Sequence, residues 1–228
     1  MAIILVDQPL ARITIVFKTM SSNFSKFFHK HFPLNKIIKV LILADFILLT
    51  GFGFVLPVFA LFITQHIQGG SVMVVGLASF AYWFTLSLVL IPAGKYLDKN
   101  RSEKDDLYFI SIGTALGGIA VFGFIFAYLP WHIYVLQGLY AIGMGINIPG
   151  YTAIFTRHIE KGREALSWST RASLVGIGAG IAGGLGGIVA NFFGFEILFL
   201  GVAILLLISA AIPLLMLQEL VLKKSLKQ

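Results

Sequence analysis

Cysteine is absent from the 228 residues of this chain, and charged side chains are scarce. Without cysteine there can be no disulfide, no thiolate metal site and no thiol nucleophile. Charged residues make up 12% of the chain, whereas soluble domains carry roughly 25%. Hydrophobic residues make up 58%, and the mean hydropathy is +0.92. This composition excludes a soluble globular enzyme, a nucleic-acid-binding protein and a disordered regulator, and it predicts a chain that lies mostly in lipid.

Six uninterrupted apolar runs are each long enough to cross a bilayer as a helix, which needs about 20 residues. They cover residues 40–63, 71–93, 107–129, 132–156, 172–192 and 197–217. We therefore predict an all-α membrane protein with six transmembrane helices in residues 37–217. Residues 1–36 are expected to form a cytoplasmic extension, disordered in part, and residues 218–228 a basic cytoplasmic tail. Met20 is an alternative start to Met1, because residues 1–17 fit neither a signal peptide nor a span.

The basic residues predict the orientation of these helices. All 17 lysines and arginines fall on alternate connections: before the first run, after the second, after the fourth and after the sixth. The other three connections (64–70, 130–131 and 193–196) contain none. Since basic residues stay on the cytoplasmic side, six spans with both termini in the cytoplasm of the plasma or inner membrane are expected. The net charge of +7 therefore indicates orientation and not a nucleic-acid partner.

Four short motifs follow one another along these helices. The connection after the second run contains a glycine, an acid four residues later and basic residues, namely Gly94, Asp98, Lys99 and Arg101. The first run contains Gly51 followed by Pro57-Val58, and the fourth contains Gln137-Gly138 followed by Ala141 and Gly143. The fifth contains Gly178 and the glycine-rich segment 182–187.

Together these motifs resemble those of the major facilitator superfamily, in the same order and on the same sides of the membrane, over roughly residues 37–217. Arg101 stands where the family usually has a second glycine, and Gly183 stands where the exporter motif has a proline. The family's usual chain has two six-helix halves, each built of two inverted three-helix repeats. The resemblance thus implies that this chain is one half. It is expected to pair with a copy of itself or with a separate partner half.

The same resemblance implies a secondary transporter that moves a small solute by alternating access, and the fifth-helix motif favours efflux over uptake; proton coupling through Asp45 is a further expectation. It also implies that Asp98, with its loop motif, contacts a helix of the opposite half and acts as a gate. The alternative is a non-transporting membrane subunit, a degenerate half kept for interaction or assembly. An intramembrane protease would need a buried Ser–His pair or metal ligands, which are missing, so no enzyme, metal site or cofactor is expected.

Asp45 is the one charged residue inside an apolar run. A carboxylate there costs on the order of 2.5–3.5 kcal/mol, so we predict that it carries a proton or pairs with a cationic substrate. Alternatively, it reaches cytoplasmic water or bonds a neighbouring helix. Gln137, Tyr140, Asn147 and Tyr151 fall within one arc of the fourth helix. This arc is expected either to contact substrate in a cavity or to form hydrogen bonds between helices.

The fifth helix carries a glycine face. Gly176, Gly180, Gly183 and Gly187 lie on one side as two GxxxG steps, with Gly186 beside them. Such a face lets another backbone approach closely. It is expected to serve packing within the chain or contact with a second unit, and to permit bending during gating. The sixth helix (198–217) is almost purely aliphatic and is expected to face lipid, and Trp168 is expected to lie at the membrane interface.

Overall fold

The structure is a computed structural model that describes residues 34–225, with side chains described to residue 217. Residues 1–33 of the predicted extension, both possible starts and the end of the tail lie outside the described residues. The described part is helical, which confirms the all-α prediction. Its helices are α1 (Lys36–Val55), α2 (Phe59–His66), α3 (Val72–Asn100), α4 (Glu103–Gly123), α5 (Pro130–His158) and α6 (Glu164–Ser225). A 3-10 turn, Phe124–Phe126, continues α4.

Within the described residues, four helical stretches are long and apolar enough to cross a membrane. They are Lys36–Val55, Val72–Asn100, Glu103–Phe126 and Glu164–Leu217. Helix α5 is also long enough, with 29 residues, but it is not among the four because polar residues such as Gln137 and Asn147 lower its mean hydropathy. The chain is therefore a multi-pass helical membrane protein. Two statements stay predictions: that the chain has six spans, and that both termini lie in the cytoplasm.

Polar side chains mark where two of these helices begin. Asn35 precedes α1 and its Oδ1 accepts a hydrogen bond from the amide of Ile37 at 3.1 Å. Ser71 precedes α3 and its Oγ accepts from the amide of Val74 at 3.3 Å. Both are residue types that satisfy the free amides of a first helical turn. Local hydrogen bonds thus fix where α1 and α3 begin.

One of the predicted spans is divided differently in the structure. The first apolar run forms α1 and α2 with a break at residues 56–58, because Pro57 has no amide hydrogen to donate to the carbonyl of Gly53. The last two runs are both helical, as predicted, and meet at Gly194, where a non-helical backbone ends one helix and begins the next; α6 denotes the two together. Gly194 has φ 83° and ψ 168°, a conformation that glycine adopts without a Cβ clash. We call residues 164–193 and 195–225 the first and second arms of α6.

The helices pack in pairs around two apolar cores. Helix α1 packs mainly on α6, and α5 packs on both α3 and α4, while α4 also contacts α6. One core contains Leu48, Tyr140, Met144 and Leu206 among its buried residues. The other contains Ile38, Ile42, Ile154 and Phe155. Helix α3 lies at the edge of the bundle: 17% of its most apolar 18-residue stretch is buried, against 50% for the corresponding stretches of α1, α4 and α6.

The expectation that the sixth predicted helix faces lipid is wrong for one of its sides. The second arm of α6 buries Leu198, Phe199, Val202 and Leu206 in the first core. An aliphatic helix has no polar side chains that would distinguish the side facing protein from the side facing lipid. Its buried side therefore cannot be predicted from its composition. This arm is a central packing element of the described chain.

Glycines let α1 and the first arm of α6 approach backbone to backbone. A Cβ added at Gly53 would lie 2.7 Å from the carbonyl oxygen of Ala179, and one at Gly186 would collide with the backbone of Phe54. By contrast, a Cβ at Gly176, Gly180 or Gly187 would have no such neighbour within 4 Å. A Cβ added at Gly183 would lie 3.7 Å from the carbonyl oxygen of Gly53, an ordinary van der Waals distance. Most of the predicted glycine face therefore points away from the described chain, and close packing uses Gly186 and Gly178.

Two glycines of α6 test this arrangement. We expect Gly186→Ala to destabilise the protein by about 1–3 kcal/mol, because the new methyl group must displace the backbone of α1. Gly184→Ala is the matched control, because a Cβ added at the exposed Gly184 has no neighbour within 4 Å. It should be neutral or slightly stabilising, since alanine favours a helix by about 1 kcal/mol over glycine. Thermal unfolding in a mild detergent would measure both. Equal melting temperatures for the two variants would contradict the close contact.

Candidate functional site

A polar layer lies between the two apolar cores. On each of four helices, a buried polar residue falls between residues of one core and residues of the other. These residues are Asp45 on α1, Thr114 on α4, Asn147 on α5 and Ser209 on α6. Because unpaired polar groups are costly in an apolar interior, each of them needs a partner inside the protein. We call these four residues and Arg171 the polar layer.

Asp45 forms an ion pair with Arg171. The Oδ2 atom of Asp45 lies 2.7 Å from Nη2 of Arg171, and the side chains are 6% and 26% exposed, respectively. The guanidinium of Arg171 also lies over two rings, 5.0 Å from the centroid of Tyr151 and 5.6 Å from that of Trp168. Both distances fit cation–π contacts. Arg171 is thus held by three groups, and Asp45 is neutralised at a site from which water is largely excluded.

Hydrogen bonds satisfy the rest of the polar layer. Nδ2 of Asn147 donates to Oγ1 of Thr114 at 2.8 Å and to the carbonyl oxygen of Ile110 at 3.3 Å. Oγ of Ser209 donates to the carbonyl oxygen of Ala44 at 2.7 Å. The first set joins α5 to α4, and the second joins α6 to α1. The polar layer therefore ties the four core helices together at one level.

The larger of two cavities opens onto this layer and has a volume of about 370 Å³. Such a volume suits a small organic molecule. Asp45, Arg171, Asn147, Tyr151 and Trp168 form its polar and aromatic wall. The hydroxyl of Tyr151 is buried and makes no hydrogen bond of acceptable geometry with the described residues. The rest of the wall is apolar and aromatic: Leu48, Leu49, Phe52, Tyr82, Tyr140, Met144, Ile148 and the Thr152 side chain.

A second cavity of about 260 Å³ lies on the other side of an aromatic partition. Phe52, Tyr82 and Tyr140 line both cavities. Tyr140 stacks on Phe52 with ring centroids 6.1 Å apart and contacts Tyr82 at 5.8 Å. Gln137 lines the second cavity. All five residues predicted to bind a proton or substrate thus lie in cavity walls, and their role in binding stays a prediction.

The predicted loop motif belongs to the end of a helix. Gly94, Asp98 and Lys99 lie in the last two turns of α3, which ends at Asn100, and the Asp98 and Lys99 side chains are exposed. Arg101 follows with φ 47° and ψ 32°, and its amide donates to the carbonyl oxygen of Leu97 at 2.8 Å. This left-handed position favours glycine, which the family usually has there. The gating role of the motif stays a prediction.

A second ion pair lies outside the cavities. Asp106, fully buried near the start of α4, lies 2.6 Å from Arg157 near the end of α5. Beside it, Nε2 of His158 lies 3.5 Å from the carboxylate of Glu103. The acidic side chains in the first turn of α4 also interact favourably with the positive end of its helix dipole. These contacts fasten α4 to α5 at the end that the basic residues assign to the cytoplasm.

Arg171 and Trp168 are site residues that the sequence did not reveal. The sequence predicts Arg171 only as a basic residue of the connection after the fourth run, and it predicts Trp168 at the membrane interface. Both lie on α6, which begins at Glu164, and the i, i+3 spacing puts them on one face. A predicted start before residue 171 would have placed Arg171 inside the fifth predicted helix. The pairing of Arg171 with Asp45 depends on how α1 packs on α6, and the sequence carries no signal of it.

The fold and its internal polar layer define a multi-pass helical membrane protein with an open cavity beside that layer. Residues 41–227 match the family model described as Major Facilitator Superfamily, so the chain belongs to this superfamily of membrane transport proteins. It is similar to the uncharacterized MFS-type transporter YttB of Bacillus subtilis (strain 168), with 30% identity over 175 residues. That match covers 76% of this chain and 42% of the relative, so the chain spans less than half of the relative's length.

The Asp45–Arg171 ion pair should be the part of the polar layer that contributes most to the stability of the protein. We expect Arg171→Met to destabilise the protein by about 3–5 kcal/mol, because it leaves the buried Asp45 carboxylate without a counter-charge. The double variant Asp45→Asn/Arg171→Met should regain most of this loss, since no charge then remains buried. Denaturant unfolding in mixed micelles would measure all three proteins.

Arg163→Met provides a matched control for this experiment. Arg163 pairs with Glu160 at 3.3 Å, but both side chains are about half exposed. Exposed pairs contribute only about 0–1 kcal/mol. Similar losses for Arg171→Met and Arg163→Met, or a double variant as unstable as Arg171→Met, would show that the buried pair is not a stability determinant.

Proposed function

We propose that this chain is a secondary transporter that moves a small solute across the cell membrane by alternating access. The observation that supports this most strongly is a buried ion pair in the wall of a cavity within an apolar helical bundle. Ionisable groups inside a membrane are costly and are typical of ion or substrate pathways. Asp45 is proposed to carry the coupling proton, and the transport direction is proposed to be efflux, as the resemblance of the fifth predicted helix to exporters suggests.

The six-helix unit is proposed to function together with a second unit, either a copy of itself or a partner half. The glycine face of α6 supports this. A Cβ added at Gly176, Gly180 or Gly187 has no neighbour within 4 Å among the described residues, and glycine steps are typical of helix association in membranes. The Asp98 motif is proposed to contact the second unit and gate its motion.

The oligomeric state of the purified chain tests this pairing. We expect native mass spectrometry from a mild detergent to give the mass of a dimer. Gly180→Leu should shift the distribution towards monomer, because a large side chain would hold the glycine face away from its partner. Gly201→Leu is the control, since Gly201 on the second arm of α6 also has no close neighbour within the described chain. A monomer in every preparation would favour a separate partner half.

Transport is tested in liposomes that contain only this chain and trap a pH-sensitive dye. We expect one of three probes, naphthalene sulfonate, naphthylmethyl trimethylammonium or sucrose, to cause a proton movement that a protonophore abolishes. Asp45→Asn should remove proton movement, because it removes the only titratable carboxylate in the described cavity walls. Asp105→Asn is the control: Asp105 lies in the first turn of α4 and lines neither cavity.

Two results would argue against the proposal. Proton movement that is the same in Asp45→Asn and in the unsubstituted chain would contradict coupling through Asp45. A dimer that moves none of the three probes would favour the alternative function, a non-transporting membrane subunit kept for interaction or assembly. That alternative is consistent with a chain that spans less than half of its relative's length. Capture of a partner from native membranes would then be the next measurement.

A further inference from the structure

The charge balance of the larger cavity points to a class of solute, and this inference rests on the proposed transport function. Among the described residues, Asp45 on α1 and Arg171 on α6 supply the charged side chains of its wall. When both are ionised, the wall is neutral overall. A change in the charge of either residue would therefore decide which sign of charge the cavity attracts.

Arg171 is the fixed member of this pair. A guanidinium does not lose its proton in proteins, and Tyr151 and Trp168 hold it from two sides. Asp45 is the variable member, because a carboxylate can take up a proton. When the Asp45 carboxylate becomes a neutral carboxylic acid, the cavity wall acquires one positive charge at Arg171.

The other titratable groups near Asp45 do not change this balance. From the remaining packed helices, the titratable side chains in the cavity wall are Tyr82 of α3 and Tyr140 and Tyr151 of α5, and neutral tyrosine is the ordinary form below alkaline pH. Helix α4 adds no residue to the wall. Its buried Asp106 is already paired with Arg157 on α5, at a different level of the bundle.

We propose that the larger cavity binds a small organic anion with an apolar or aromatic body, and that Asp45 takes up a proton as the anion binds. The anion would replace the Asp45 carboxylate as the partner of Arg171. The hydroxyl of Tyr151, which lacks a hydrogen-bond partner in the same wall, would donate to it. Leu48, Phe52 and Met144 would contact the body of the solute.

A cationic solute fits this geometry less well. To pair with Asp45, it would have to approach a carboxylate whose Oδ2 is already 2.7 Å from Arg171. The two rings hold the guanidinium in place, so the incoming cation would meet a like charge in a poorly screened interior. An anion meets no such repulsion once Asp45 is protonated.

Thermodynamic linkage makes this exchange a coupling mechanism. If protonation of Asp45 strengthens anion binding, then the bound anion strengthens proton binding by the same factor. Proton and anion would therefore cross the membrane together. Efflux would then be driven by the solute's own outward gradient, as for an organic acid that reactions inside the cell produce and accumulate.

Isothermal titration of the purified chain with naphthalene sulfonate tests this inference directly. A sulfonate keeps its negative charge at every pH used, so any pH dependence belongs to the protein. We expect binding to be at least about fivefold tighter in mildly acidic than in mildly alkaline buffer. Naphthylmethyl trimethylammonium, which has a similar body and the opposite charge, should bind more weakly at both.

Three variants identify the groups responsible. Asp45→Asn should bind the sulfonate equally well at both pH values, because its cavity is always positive. Asp45→Asn/Arg171→Gln should lose sulfonate binding, and it avoids the unpaired charge that would unfold a single Arg171 variant. Arg163→Gln, at an exposed arginine outside the cavity wall, should behave like the unsubstituted chain.

Several outcomes would overturn the inference. These are tighter binding of the ammonium probe, sulfonate binding that persists in Asp45→Asn/Arg171→Gln, and unchanged pH dependence in Asp45→Asn. Displacement of the sulfonate by added phosphatidylglycerol would assign the site to a lipid headgroup and contradict a small solute. Binding without flux in liposomes would instead leave the anion site intact and count against the transport function, so the two failures are distinguishable.

Discussion

Pairing of polar groups inside an apolar bundle is the constraint on which the rest of this structure depends. Neither lipid nor a dry core can hydrogen-bond a carboxylate, an amide or a hydroxyl, so each must find its partner within the protein. Asp45 finds Arg171, Asn147 finds Thr114, and Ser209 finds a carbonyl of α1. These bonds lie between two apolar cores and fix how α1, α4, α5 and α6 meet at one level.

The same pairing makes the polar layer suitable for a functional role. The Asp45–Arg171 pair is strong only while both groups are ionised, and a cavity beside it gives a solute access to both. In the proposed exchange, an anion would replace the protonated Asp45 as the partner of Arg171, so that no buried charge would be left alone. Groups whose bonds do not change, such as Asn147 and Thr114, keep the helices in register meanwhile. A stable framework and an exchangeable pair thus occupy the same layer.

On the outer surfaces of the bundle, several helix faces have no packing partner within the described chain. Helix α3 is largely unburied, and most of the glycine face of α6 has no neighbour within 4 Å. Glycine nonetheless has two separate uses on α6. Gly186 allows the backbone of α1 to approach, whereas Gly180 and Gly187 leave an open groove on another side. One helix therefore combines a closed contact within the unit and a surface suited to a second unit.

The sequence by itself determined the helical membrane class, the superfamily and five of the residues that line the two cavities. It could do so because apolar run length, the positions of basic residues and the arc of polar residues on α5 are local properties of the chain. Only the tertiary structure decided which residues meet. The partner of Asp45, the inward place of Trp168 and the buried side of the second arm of α6 all depend on contacts between distant segments. Helix packing settles such contacts, and aliphatic or isolated basic residues carry no local signal of it.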